Sequence, residues 1–317
     1  MPLSLDQYAD FLDTRDLAWP MCPPVDGPKV KPSLTRMPKV RAVLWTVYGT
    51  LLAIPPGGDL LFEHPTEFVM STALEKTIAE FKMWGSMSRK PGQPSEYMGK
   101  IYRDLLTDQR MAAGGVEKHP EILAEKIWEA VLKRLLQKDY KFDAGFFGAI
   151  NEYSRKIAYF FHASLQATAC YPTADRALAH VAGAGLVQGL LADGQCFTAV
   201  QLRRGLDRLE GGVRIDDVLP ATCRFLSCDL KGRKPSERLF GHAIESLAAR
   251  GIAPEEILHV GSRIDRDIAP AKKFGMKTAL FAGDKTSLAA TAEHLKDPLT
   301  RPDLLLSEPG QIAEVVG

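Results

Sequence analysis

Four short segments hold the side chains that could do chemistry: TVYGTL at 46–51, LLADGQ at 190–195, RKPSERLF at 233–240 and VGSRIDRD at 260–267. They offer three kinds of group. The carboxylates Asp193, Asp265 and Asp267 could move a proton or hold a hard cation such as Mg²⁺. Lys234 is a point charge suited to an anion. Thr46, Tyr48, Thr50 and Ser262 carry hydroxyls, and a hydroxyl attacks only when a neighbouring base takes its proton. The turn after Thr46 supplies no such base, because a tyrosine such as Tyr48 keeps its proton near neutral pH. Each group also has a plainer reading. Asp193 before Gly194 is ordinary turn chemistry, Asp265 is a solvated acid at a helix start, Lys234 pairs with Asp267 or Asp229, and His259 is a satisfied buried histidine.

All four segments follow apolar runs that read as strands. VRAVLWTVYGTLL is a continuous apolar run closed by Gly49 and Thr50, the pattern of a buried parallel strand ending in a tight turn. From Tyr171 onward LVQGLLADG, CRFLSCD, ILHVGS, KTALFAG and DLLLS read as strands, and ADRALAHVAGAG, SERLFGHAIESLAARG and IAPAKKFG as helices. Strands alternating with helices imply right-handed crossovers and a parallel sheet, and the ligand crevice of such a sheet lies beyond the strands' carboxyl ends. LLAIPPGGDLLF, with a Pro-Pro-Gly-Gly turn between apolar runs, predicts a β-hairpin. From about Thr66 to Ala167 apolar residues fall three and four apart, which predicts a helical insertion whose aromatics Trp84, Trp128, Phe146, Phe147, Phe160 and Phe161 pack together. Residues 1–40 combine an amphipathic stretch, Leu5 to Leu17, with a proline-rich segment, and are expected to wrap on the domain as an arm or to be disordered.

Composition narrows the classes of function. Forty basic and 39 acidic side chains nearly cancel, so nothing marks a surface for nucleic acid. No apolar stretch reaches membrane length, and the N-terminus lacks the basic start and apolar run of a signal peptide. Five scattered cysteines without a CxxC pair fit a reduced, cytoplasmic chain. The histidines show no metal-ligand spacing.

In order and spacing the four segments resemble the motifs of the haloacid dehalogenase superfamily of hydrolases. The first motif, DxDGT or DxYGT after an apolar strand, corresponds to TVYGTL. The second, a Ser or Thr at a strand end, falls on Ala192. The third, a lysine before proline, falls on Lys234 and Pro235, and the fourth, VGDxxxxD, matches VGSRIDRD. Framework residues stand in place at Gly49, Thr50, Gly194, Lys234, Gly261, Asp267, Ala271 and Gly275. The nucleophilic aspartate, however, is replaced by Thr46, the phosphate-binding hydroxyl by Ala192 and a metal-binding aspartate by Ser262, while Tyr48 stands where phosphatases keep their acid/base aspartate.

The resemblance implies a doubly wound α/β core with a parallel sheet at 41–56 and 168–317, an inserted helical cap at 57–167 and the arm at 1–40. It implies a protein impaired as an aspartate-nucleophile phosphatase or dehalogenase. The degenerate catalytic positions are Thr46, Tyr48 and Lys234, and the remaining anion-binding positions are Gly49, Thr50, Ala192, Asp193, Gly194, Lys234, Ser262 and Asp267. Backbone N–H groups of Gly49, Thr50 and Gly194 are expected to form an anion cup with Lys234. The expected ligand is a small anion. No cofactor and no metal are expected, Mg²⁺ entering only if Asp193, Asp265 or Asp267 converge on Lys234 to rebuild an active hydrolase. A third alternative is an interaction protein that self-associates or binds a partner through the cap, with Tyr48 or Trp45 plugging the crevice.

Overall fold

The computed structural model describes residues 1–87, 92–112, 115 and 117–317. Its centre is a six-stranded parallel sheet whose strands lie in the order Arg224–Leu226, Val187–Ala192, Ala42–Trp45, Ile257–Gly261, Lys277–Phe281 and Leu304–Leu306. The strands are β1 (Ala42–Trp45), β4 (Val187–Ala192), β5 (Arg224–Leu226), β6 (Ile257–Gly261), β7 (Lys277–Phe281) and β8 (Leu304–Leu306). β1 is buried along its whole length and pairs on one side with β4, Trp45 opposite Leu190, and on the other with β6, Trp45 opposite Val260. An AVLW run buried on both faces is what a central parallel strand requires. Its three neighbouring carboxyl ends bring the segments after Trp45, Ala192 and Gly261 together. Helices Ala174–Gly183, Thr198–Leu206 and Glu237–Ala248 cross between the strands.

The first strand is shorter than the apolar run predicts. The chain turns at once after Trp45, with Leu51 and Leu52 N–H both donating to Val47 O at 2.9 Å. Gly49 adopts φ +75° in this turn, and a Cβ there would sit 2.8 Å from Ser262 Oγ, so only glycine fits. The hairpin predicted for LLAIPPGGDLLF is not formed. Instead β2 (Leu52–Ala53) pairs antiparallel with β3 (Ala169–Cys170), the segment by which the chain returns from the insertion. Pro55 and Pro56 carry no N–H for a ladder, and residues 54–62 form a loop over the sheet's carboxyl edge. CRFLSCD is likewise strand only to Leu226, followed by a helical turn at Ser227–Leu230.

Between β2 and β3 stand helices Glu67–Glu80, Pro94–Ala112, Ala124–Leu136 and Ile150–Leu165. Their apolar faces enclose a second core in which Tyr102, Trp128 and Phe161 meet with ring centroids 5.0–5.4 Å apart. Phe160 is buried there too, Phe146 and Phe147 pack at its edge, and Trp84, on a short 3₁₀ turn, is exposed.

The arm is ordered rather than loose. Ser4 caps helix Leu5–Asp13 in a capping box with Gln7. Tyr8, Ala9 and Leu12 on one face are buried in the insertion's core. On the other face Asp6 and Asp10 pair with Arg203 at 3.0 and 2.6 Å, and Asp13 pairs with Arg204, both arginines lying on helix Thr198–Leu206 of the sheet domain. Farther on, Ser33 exchanges two 3.0 Å backbone hydrogen bonds with Leu305 and covers the edge strand β8. The helix therefore fastens the insertion to the sheet domain. Leu12→Ala should destabilise the fold by about 2–3 kcal/mol, as expected for a buried leucine truncation. Urea unfolding would check this, and a loss under about 0.5 kcal/mol would mean that the arm is not packed as described.

Candidate functional site

At the centre of the carboxyl edge four side chains form one buried cluster. Lys234 Nζ donates to Asp267 Oδ1 at 2.6 Å and to Thr46 Oγ1 at 2.7 Å, and lies 3.3 Å from His259 Nε2. Thr46 Oγ1 in turn donates to Asp267 Oδ1 at 3.1 Å. The second carboxylate oxygen, Oδ2, accepts the N–H groups of Ser262 and Arg263, each at 3.0 Å. This carboxylate can reach back because Ile264–Ile268 is a π-helical turn and because Gly261 has no Cβ. A Cβ at Gly261 would stand 2.3 Å from Asp267 Cγ.

The cluster is buried: the side chains of Lys234 and Asp267 are each 2% exposed and that of His259 is fully buried. Burial alone would raise the Asp267 carboxyl, but the Lys234 ammonium more than reverses this and holds it below the usual carboxylate range. Burial and the same ammonium lower His259 as well, which for an imidazole favours the neutral form. His259 Nδ1 lies 3.0 Å from Leu44 O, which only an N–H can satisfy, so Nε2 is left as an acceptor facing Lys234. Lys234, Thr46 and the backbone N–H groups of Ser262 and Arg263 thus saturate Asp267, while His259 turns its acceptor to the lysine, and among these groups no free base or free carboxylate remains.

The other residues singled out from the sequence divide into those at this cluster and those apart from it. Asp193 accepts the Lys234 backbone N–H at 2.7 Å, and burial raises its carboxyl. Asp265 points away, with arginines 263 and 266 at 3.9 Å and most of its side chain in solvent. Of the acids that could be recruited around Lys234, Asp267 meets its ammonium, Asp193 meets only its backbone N–H, and Asp265 lies apart. Tyr48 hydrogen-bonds Thr198 Oγ1 at 2.9 Å and Gln201 Oε1 at 2.5 Å, and burial raises its phenol further. It is held against a core helix. Trp45 is buried in the sheet with its indole N–H on Gln188 Oε1 at 3.0 Å, and does not plug the crevice.

The expected anion cup is not available in this geometry. Gly49 N–H donates to Leu52 O at 2.7 Å, Thr50 N–H to Val47 O at 3.2 Å and Gly194 N–H to Ser227 Oγ at 2.9 Å. Ala192 and Ser262 are buried beside the cluster without a charged group to offer. The turn after β1, closed within itself, consumes two of the donors that the sequence reading left open, and Ser227 takes the third.

Above the cluster lies a crevice lined by Asp59, Leu60 and Phe62 of the 54–62 loop, by Glu121 of the insertion, and by Asp193, Arg233, Arg263 and Arg266. Its free volume is about 30 Å³, room for roughly two waters and far below the several hundred Å³ of an ordinary ligand pocket. Asp59, Glu121 and the three arginines were not singled out from the sequence. Arg233 and Arg263 stand directly beside the motif residues Lys234 and Ser262, and the charge of those positions was the signal to follow.

Comparison with known proteins agrees with the motifs. Residues 232–308, which carry Lys234, Ser262 and Asp267, match the HAD-hydrolase-like family model. Over these residues the chain is similar to that family, in agreement with the superfamily resemblance read from the motifs. No curated protein sequence matches the chain. Among solved structures, the L-2-haloacid dehalogenase of Xanthobacter autotrophicus is 18% identical, over 86% of this chain and 97% of that one, with a TM-score of 0.42. A HAD phosphatase from Thermococcus onnurineus is 17% identical, over 86% of this chain and 96% of that one, with a TM-score of 0.46. Among the described residues no helix is long and apolar enough to cross a membrane.

Where the insertion meets the crevice, Glu121 accepts a short hydrogen bond from Ser227 Oγ. Burial raises its carboxyl to about 7, although Arg233, 3.8 Å away, and Ser227 pull it back and Asp193 adds to the rise. Below about pH 4 the folded and unfolded chains both hold this proton. As pH rises the unfolded chain loses it first, so stability should fall between about pH 4 and 7, by an amount on the order of 3 kcal/mol. Glu121→Gln should remove that part of the slope. Urea unfolding at pH 5 and pH 8 would show it, and an unchanged slope in the variant would place the titration elsewhere.

Proposed function

We propose that this chain is a HAD-like protein that does not turn over phosphate esters or haloacids through an aspartate nucleophile and acts instead as a binder of small anions. The observation that carries this reading is the closed Lys234–Asp267–Thr46–His259 cluster. Nucleophilic catalysis needs an activated group with an approach path. Thr46 donates its proton to Asp267 and accepts from Lys234, and its neighbour His259 spends its one acceptor on the same lysine. Threonine in place of aspartate thereby becomes a filler between two charges.

The donor set argues the same way about Mg²⁺, the ion that the resemblance implies for active phosphatases. Mg²⁺ wants carboxylate oxygens in octahedral array. Thr46 and Ser262 are neutral, and both oxygens of Asp267 already have partners. Among the described residues no three His, Cys, Asp or Glu side chains are grouped to hold a metal. These residues do not fit the ion, and no step is routed through it. The positive groups at the rim, in contrast, suit an anion, and a cytoplasmic setting remains part of this proposal.

Phosphate release from a panel of monoesters, and halide release from 2-haloacids, should stay at background with added Mg²⁺ in folded protein. Release that falls on Asp193→Asn, which changes the carboxylate lining the crevice beside Lys234, would overturn the proposal and establish a rearranged hydrolase.

A further inference from the structure

The crevice contains an internal carboxylate seated on arginine. Arg266 Nη1 donates to both oxygens of Asp59 at 3.1 Å, and Arg263 Nη1 lies 3.5 Å from the same carboxylate. Asp59 belongs to neither the sheet nor the insertion's helices but to the 54–62 loop, where Gly57 and Gly58 take φ +84° and +72°. Gln166 holds this loop down: its Oε1 accepts Leu61 N–H at 2.6 Å, and its Nε2 donates to Asp59 O at 3.1 Å and Pro55 O at 3.3 Å.

The arginines have donors to spare. Arg263 Nε is buried and, among the described residues, lacks a hydrogen-bond partner. Arg233 faces Glu121 and Asp193 only at 3.8 and 3.9 Å, beyond hydrogen-bond reach. A buried guanidinium N–H without an acceptor is costly, and planar forks of this kind match carboxylate and phosphate oxygens. Four cations, Arg233, Lys234, Arg263 and Arg266, line one crevice with four acids, Asp59, Glu121, Asp193 and Asp267. Asp267 is locked beneath, while Asp59, about a third exposed, is the acid whose loop can carry it away.

We propose that Arg233, Arg263 and Arg266 form an oxyanion site and that Asp59 is its tethered plug, a carboxylate of the chain itself occupying the place of a small carboxylate or phosphate. This deepens the anion-binding reading above and rests on it. A tethered group competes at an effective concentration in the millimolar range, so external anions bind weakly until Asp59 moves or is neutralised. Displacing it lifts the loop that carries Leu60 and Phe62 and enlarges a crevice that is otherwise too small for a ligand.

Calorimetric titration of inorganic phosphate and, separately, succinate into the full chain at constant ionic strength tests this. The two arms distinguish a tetrahedral from a planar oxyanion. Asp59→Asn should bind at least one of them tenfold or more tightly than the unsubstituted protein, and Arg266→Gln added to Asp59→Asn should abolish the gain. Equal affinity with and without Asp59→Asn, or a gain that survives Arg266→Gln, would overturn the plug. In the unsubstituted protein, high phosphate should speed amide hydrogen exchange at 57–61 relative to an ionic-strength-matched chloride control. Unchanged exchange there would contradict the displacement without relying on any variant. Hydrolytic turnover, by contrast, would overturn the functional reading while leaving these binding results standing.

Discussion

The Lys234–Asp267 ion pair is the contact around which the carboxyl edge of the sheet is organised. Two charges buried to 2% exposure are tolerable only with every remaining donor and acceptor satisfied. That demand explains several features at once. Gly261 gives up its Cβ to admit the carboxylate, the π-helical turn aims it, two backbone N–H groups take its second oxygen, and Thr46 and a neutral His259 complete the lysine's coordination. Removing either charge would leave the other unpaired in a buried site, so the pair constrains β1, β6 and the loop before helix Glu237–Ala248 together.

The same pair separates scaffold from chemistry. The resemblance places a carboxylate at the position of Thr46 in active relatives, where it would share the lysine with Asp267. Substituting a hydroxyl leaves one positive and one negative charge, which neutralise each other without an external ion. The crevice above keeps strong charges, but they belong to the rim: arginines beside the motif positions, an acid from the loop and an acid from the insertion. The groups left unlocked therefore stand at the rim, above a buried Lys234–Asp267 pair.

Much of the fold was legible in the sequence because it depends on apolar runs and breakers. The strands after Tyr171, the helical insertion and the convergence of four loops all follow from periodicity and from the crossover rule. The failures share a cause, in that partners distant in sequence decided them. The 51–62 run has the look of a hairpin, yet Leu52 and Ala53 find their partner at Ala169 and Cys170. For the arm, which the sequence left as either wrapped on the domain or disordered, the structure shows the first, with Ser4, Tyr8 and Leu12 anchoring a helix on surfaces that the arm's own residues do not reveal. At the site, the plainer reading of Lys234 left Asp267 and Asp229 open as partners, and the structure pairs it with Asp267. The spent N–H groups of Gly49, Thr50 and Gly194 were not foreseen, because donor satisfaction depends on how tightly a turn closes.

Mg²⁺ titration by calorimetry tests most directly the proposal that a closed ion pair stands where active phosphatases of the resembling superfamily hold Mg²⁺. The unsubstituted protein should show no saturable binding up to millimolar Mg²⁺, while Thr46→Asp combined with Ser262→Asp, which restores two carboxylates beside Asp267, should gain it. Saturable binding at micromolar Mg²⁺ by the unsubstituted protein, or no gain by a folded double variant, would contradict the account.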